Sequence, residues 1–199
     1  MPPNGTAGPG RLFVVTGPSG AGKGTLIRAL LRRRSDLRIA VSATTRPRRP
    51  GEEDGRDYYF VDESEFERRA RDGEFLEHVV YVSGHRYGTL NSEVDRILGS
   101  GMSCVLELET QGAREVEAKR PETVSIFIAA PSFDELERRL RERATESAGE
   151  IGERLELARR QVGEQNDFDH VVVNDDVDRA VAELERVVDA ELALQRSAT

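Results

Sequence analysis

The chain has 199 residues, 37% of them hydrophobic and 33% charged, with a formal net charge of −8. That length suits one compact domain with room for inserted lobes, and the acidic balance excludes a general basic surface for nucleic acid. No stretch reaches the roughly 20 apolar residues of a membrane span, and one cysteine with three scattered histidines excludes a disulfide framework or a Cys- or His-built metal centre.

Residues 1–10 hold three prolines and three glycines and lack the apolar core of a secretion signal. They are expected to form a disordered tail, and the cytoplasm is the expected compartment. From Arg11 to Thr16 a β-branched, apolar run predicts a strand buried on both faces. Thr25 to Arg34 then carries apolar residues at helical spacing. Between Ser42 and Gly88 the rhythm breaks. A Pro/Arg/Gly loop is followed by two apolar-aromatic runs, Tyr58 to Val61 and Phe75 to Val82, with a short helix, Asp62 to Arg71, between them. This segment is expected to be a small inserted α+β lobe with hairpin-type strands.

Three further strands are predicted at Ser103 to Leu108, Thr123 to Ile128 and His170 to Val173. Helical patterns run from Ala113 to Arg120, Ser132 to Arg143, Glu150 to Gln165 and Asp176 to Leu194. Alternating strands and helices imply an α/β fold, a parallel sheet flanked by helices. The core is expected over residues 11–41, 89–130 and 166–199, with an arginine-rich helical lid over about 131–165. Lysine is nearly absent: only Lys23 and Lys119 occur, so their positions carry information.

The most specific motif is Gly17-Pro18-Ser19-Gly20-Ala21-Gly22-Lys23-Gly24-Thr25. It has the spacing of a P-loop and lies between a predicted strand and a predicted helix. Its glycines let successive N–H groups point at phosphate oxygens, the helix N-terminus adds to that field, and Lys23 brings a positive charge. Together these make an ATP-binding cradle; the competing reading is a Gly-rich turn. The position after the lysine, where a hydroxyl usually helps to hold Mg²⁺, is Gly24. Mg²⁺ is therefore expected to be held by phosphates and water, with no direct protein ligand. The GKGT run is similar to the loop of adenylate kinases.

The segment from Val41 to Glu52, containing Ser42, Arg46 and Arg49, resembles the signature of guanylate kinases, with Gly55 and Tyr58 behind it. The resemblance continues through the FLEH and YGT runs, Glu107 to Gly112, the arginine-rich segment and VVVND. It covers nearly all of Leu12 to Val188. It implies a P-loop NTPase-type core and transfer of the ATP γ-phosphate to GMP, or to dGMP, with Mg²⁺ as cofactor. Nucleic acid and membranes are not expected partners, and monomer and homodimer both stay open.

By this resemblance the planar guanidinium forks of Arg46 and Arg49 grip the GMP phosphate, with hydroxyl donors from Tyr58 and Tyr87. Glu77 accepts the N1–H and N2–H₂ donors of guanine, while Ser42 and Thr89 add polar contacts to the base. Glu107 and Glu109, two apart on a strand, share one face. The resemblance gives Glu107 the arginine and the Mg²⁺ waters, and Glu109 the guanine amino group. The family usually has Asp at one or both positions. Arg139, Arg143 and Arg154 fall where lid arginines are kept, although i,i+4 pairing with glutamates is the plainer reading of each. The family's RGT is here Arg143-Ala144-Thr145. Asn174 is expected either to touch the adenine or to cap a helix, with Asp175 the alternative cap. Two rival functions stay open: a phosphopeptide-binding scaffold related to guanylate kinases, and a P-loop kinase of a phosphorylated sugar.

Overall fold

The computed structural model describes residues 10–81, 84–143 and 148–198. The expected disordered tail (residues 1–9 of it), the end of the second aromatic run at Val82, and the Ala144-Thr145 pair lie outside the described residues. In chain order the elements are β1 (Leu12–Thr16), α1 (Lys23–Arg33), β2 (Leu37–Ile39), β3 (Ala43–Thr44), β4 (Tyr59–Phe60), α2 (Glu63–Arg71), β5 (Phe75–Val80) and β6 (Arg86–Leu90). They continue with α3 (Asn91–Gly99), β7 (Ser103–Glu107), α4 (Thr110–Lys119), β8 (Val124–Ala129), α5 (Phe133–Arg143), α6 (Ala148–Gly163), a 3₁₀ turn (Gln165–Asp167), β9 (His170–Val173) and α7 (Val177–Ala198). The fold is α/β. No helix among the described residues is long and apolar enough to cross a membrane.

The chain divides into two compact units, one comprising Met1–Leu12, Asp36–Val105 and Arg114–Thr123, the other Phe13–Ser35, Leu106–Ala113 and Val124–Thr199. In the second unit β1 runs parallel to β8, Phe13 beside Val124, and β8 parallel to β9, Ile126 beside His170. Every residue of β1 and β8 is buried, which is why both read as continuous apolar runs rather than alternating ones. Leu108, just past β7, donates its N–H to Val15. Among the helices of this unit, α1 buries Leu26, Ile27 and Leu30, and α7 buries Ala180, Val181, Leu184, Val188 and Leu192, the stripe a 3.6-residue period predicts.

In the first unit β2 runs parallel to the start of β7, Leu37 beside Ser103. The parallel strands thus take the order β2-β7-β1-β8-β9. The same unit holds a second sheet in the order β4-β3-β6-β5. Here β5 pairs antiparallel with β6, a strand not expected from the sequence, and β3 pairs antiparallel with β6 and parallel with β4. The two runs expected as hairpin-type strands supply β4 and β5, which lie at opposite edges of this sheet and do not pair with each other. Phe66 of α2 stacks on Phe75 at 4.5 Å between ring centroids, with Ala43 and Leu90 buried around them. The arginine-dense stretch from Arg139 to Glu153 is helical wherever it is described, the last turn of α5 and the start of α6.

Candidate functional site

The cradle is shaped by backbone geometry that side chains forbid. Gly17 has φ +134°, and a Cβ there would lie 2.3 Å from the Ile128 carbonyl oxygen. Gly22, the residue before α1, has φ +92°, and its Cβ would lie 2.3 Å from the Asn174 amide nitrogen. Left-handed φ and those approaches leave only glycine at either place. Asn174 is 5% exposed; its Nδ2 donates to the Ala21 carbonyl at 2.7 Å and its backbone N–H to Ala129 at 2.7 Å. This side chain therefore holds the loop between Gly20 and Gly22. Capping of α7 falls instead to Asp176, whose Oδ1 accepts from the Arg179 N–H at 3.0 Å.

Lys23 opens α1 and is 8% exposed. Its Nζ donates to the carbonyls of Gly17 (2.5 Å) and Pro18 (3.3 Å), so the ammonium lies against the loop that it serves. No acidic residue occupies the first turn of α1, which leaves the positive end of that helix to an anion. Gly24 differs from its neighbours. Its φ is ordinary, and a Cβ would meet Arg28 Nη1 at 3.1 Å and Glu107 Oε2 at 3.2 Å, the mobile ends of two long side chains. Thr25, one residue on, accepts a long 3.5 Å hydrogen bond from Arg28.

Glu107, the last residue of β7, and Glu109, which lies two residues past it and not on the strand as expected, both reach this cradle. Glu107 accepts a hydrogen bond from the Gly24 N–H; enclosure of its carboxyl end raises its pKa, with Lys23 and Arg28 acting in the opposite sense. The residue as a whole stays open to solvent, and water screens part of both influences. Glu109 places Oε1 3.9 Å from Lys23 Nζ, while Oε2 accepts from Gln161 Nε2 at 2.7 Å. On α5, Arg139 makes an i,i+4 bond to Glu135 (2.8 Å) and also donates to the Asn174 carbonyl at 3.2 Å. Arg143 ends α5, and Arg154 lies on α6, partly exposed.

The other unit carries the second group of expected residues. Arg46 is 9% exposed and tightly framed: Nη2 donates to Glu52 at 2.7 Å, Nη1 to the Pro47 carbonyl at 2.8 Å, and the guanidinium lies 5.4 Å from the Tyr58 ring centroid. The Glu52 bond, with another from Tyr87, raises the Arg46 pKa against the effect of burial. Glu52 also accepts from the Arg49 backbone N–H at 2.8 Å, so one carboxylate fixes the Arg46 side chain and the Arg49 main chain. Tyr58 and Tyr87 meet edge to face at 5.8 Å. The Ser42 carbonyl accepts from the Tyr59 N–H, which anchors the loop's start to β4.

Glu77, on β5, is 2% exposed. Its Oε1 accepts from the Thr89 N–H at 2.9 Å and the Thr89 hydroxyl at 2.8 Å. Desolvation pushes its pKa up to about 7 despite those two bonds, and Glu115 adds to the rise while Lys119 opposes it. The second lysine thus acquires a place: Lys119 donates to the carbonyl of Leu76, the residue before Glu77. Lys119 was conspicuous by its rarity, but nothing in its spacing pointed to that partner. Glu52 was visible within the loop; the roles of Gln161, buried on α6, and of Glu93, buried and paired with Arg96 at 2.9 Å, were not.

A strand, a glycine loop and a helix with a buried lysine at its first turn, set on a parallel sheet, define a P-loop kinase fold. The guanylate kinase family model matches residues 9–191. A guanylate kinase of Rubrobacter xylanophilus is 54% identical over 175 residues, covering 88% of this chain and 91% of that protein. One from Thermus thermophilus is 49% identical over 182 residues, covering 92% and 82%. The crystal structure of guanylate kinase from Anaplasma phagocytophilum superposes with a TM-score of 0.74 at 32% identity, covering 92% of this chain and 87% of that one. The chain belongs to the guanylate kinase family.

Proposed function

We propose that this guanylate kinase catalyses ATP + GMP ⇌ ADP + GDP by direct in-line transfer, with Lys23, Arg46, Arg143 and Arg154 supplying the positive charge around the moving phosphoryl group. No strong general base is required, because the acceptor phosphate oxygen is already anionic at neutral pH. The cradle from Gly17 to Thr25 holds the ATP phosphates, and Asn174 contributes by fixing the loop's shape and by closing the adenine end. Arg139 stands beside it on the donor side.

On the acceptor side Arg46 and Arg49 grip the GMP phosphate. A guanidinium has five N–H donors, and Arg46 directs two nitrogens to Glu52 and Pro47, so N–H groups remain for a phosphate. Tyr58 and Tyr87 add hydroxyl donors. Glu77, Ser42 and Thr89 read the guanine, while Glu109, whose Oε1 lies 3.9 Å from Lys23 Nζ, belongs to the ATP side in this reading and not to the guanine amino group expected of it. Adenine would leave the Glu77 carboxylate without its two donors, at a cost of roughly 1–3 kcal/mol. dGMP offers the same base and phosphate and is a second acceptor.

The residues present fit a Mg²⁺ carried by the nucleotide rather than a protein-built site. No cluster of three or more His, Cys, Asp or Glu capable of holding a metal occurs among the described residues. Gly24 offers no hydroxyl, and the one carboxylate beside it is Glu107. Mg²⁺ neutralises charge on the transferring phosphates when bound; Glu107 orients its waters. The chain works in the cytoplasm, where both nucleotides are found.

The observation that carries this reading is the buried Lys23 folded onto a loop in which Gly17 and Gly22 tolerate no side chain. A coupled ADP-release assay with GMP, AMP, CMP, UMP and ribose bisphosphate tests it. GMP should be used far faster than the rest. Equal turnover of another base would refute the assignment of Glu77, and turnover of the sugar phosphate alone would refute the acceptor site.

A further inference from the structure

On the lid helix α6, Gln161 is 3% exposed, an unusual depth for an amide in a helix otherwise rich in arginine and glutamate. Its Nε2 donates to Glu109 Oε2 at 2.7 Å, and the other oxygen of that carboxylate stops 3.9 Å from the Lys23 ammonium. That separation is too long for a hydrogen bond. A contact pair between a carboxylate and an ammonium closes to about 2.7–2.9 Å. Glu109 is therefore held about one ångström short of the lysine by a donor from α6.

We propose that Gln161 is a positioning residue for the phosphate-binding lysine: it restrains Glu109 so that Lys23 keeps its charge available for ATP instead of closing an ion pair. A carboxylate at contact distance would compete with the incoming phosphates for the same N–H donors, and its partial burial strengthens that competition. Gln161 lies seven residues, two helical turns, beyond Arg154, so both positions fall on one stripe of α6. The helix that carries a lid arginine thus also governs the cradle lysine. The inference rests on the reading of Gly17–Thr25 as the ATP cradle.

The test measures ATP affinity without GMP, and GMP affinity without ATP, by calorimetry on the full chain. Gln161→Met removes the donor and keeps the volume. It should weaken ATP about tenfold and leave GMP within twofold. In a Glu109→Gln background the same change should have no further effect on ATP, because no carboxylate remains to close on Lys23. Gln161→Asn, which retains an amide on a shorter arm, serves should the Met variant fail to fold; it should weaken ATP in the same direction.

Unchanged ATP affinity in Gln161→Met, or a loss that persists in full beside Glu109→Gln, would overturn the proposal. So would a loss confined to GMP, which would place Glu109 with the base and not with the lysine. Failure of the cradle reading itself gives a different pattern: Lys23→Ala would then bind and use ATP normally.

Discussion

Glu77 shows how one buried carboxyl couples recognition to pH. Its burial raises its pKa to about 7 from an ordinary 4.5, and the two bonds from Thr89 recover only part of the lost hydration. Between those values the folded chain binds a proton that the unfolded chain releases. The associated stability is present in full below about pH 4.5 and is lost as pH rises through 7. A shift of this size corresponds to about 3 kcal/mol. Glu77→Gln removes the titration, so its stability relative to the parent should be about 2–3 kcal/mol more favourable at pH 8 than at pH 5. Urea unfolding of both proteins at the two pH values measures this; a difference independent of pH would show that Glu77 is ionised in the fold throughout. If Glu77 reads guanine as proposed, GMP use should move in the opposite sense to stability, since only the ionised carboxyl accepts two donors from the base.

At the scale of elements, burial outweighs charge pairing where α5 packs on α6. Arg138 on α5 binds Glu135 at 2.7 Å and Glu142 at 2.5 Å, but Arg138 and Glu142 are exposed and Glu135 is only half-buried, a setting where ion pairs contribute about 0–1 kcal/mol. Leu140, 4% exposed, packs with Leu136 and Ala158 between α5 and α6, and it lies 3.3 Å from where a Cβ on Gly20 would stand. Leu140→Ala should cost about 2–4 kcal/mol of unfolding free energy, and Arg138→Ala under about 1 kcal/mol, both read by denaturant titration. A larger loss from Arg138 than from Leu140 would reverse that order. The same contrast explains what was legible in the sequence. β1, β8 and the helices α1 and α7 announced themselves because burial on one face or two imposes a period. β2 and β3 are three and two residues long, too short for a period to exist, whereas the equally short β4 showed only as the aromatic run Tyr58 to Val61. α3 went unseen because only Glu93, Val94 and Ile97 are buried in nine residues. The site's charged residues were legible through motif spacing. Glu52, the partner of Arg46, lay within the same loop motif, but Gln161, the partner of Glu109, was not legible, because a lone polar residue acquires its role only from what the fold places beside it.

For the whole molecule, a net charge of −8 is set against two anionic substrates. Binding must therefore come from local cations that outweigh the general field, and those cations fall in separate units. Lys23 and its glycine loop lie in the unit beginning at Phe13, Arg46 and Arg49 in the unit spanning Asp36–Val105. A ligand that binds only the folded form stabilises it by about 2.7 kcal/mol at a hundredfold excess over its Kd. For a chain of this size that is a rise in melting temperature of roughly 5–10 °C. ATP alone and GMP alone should each give such a rise in the parent protein. Lys23→Ala should lose most of the ATP shift and keep the GMP shift. Arg46→Ala or Arg49→Ala should do the reverse, because each removes a charged hydrogen bond of about 1.5–3 kcal/mol to the acceptor phosphate. Arg46→Ala carries a second cost without ligand, since Glu52 loses a partner at 2.7 Å, so its shifts are read against its own baseline. Differential scanning calorimetry of the three variants with each nucleotide decides the matter. If Arg46→Ala and Arg49→Ala diminished the ATP and GMP shifts equally, the loop from Arg46 to Glu52 would be a scaffold for the fold and not the acceptor's phosphate grip.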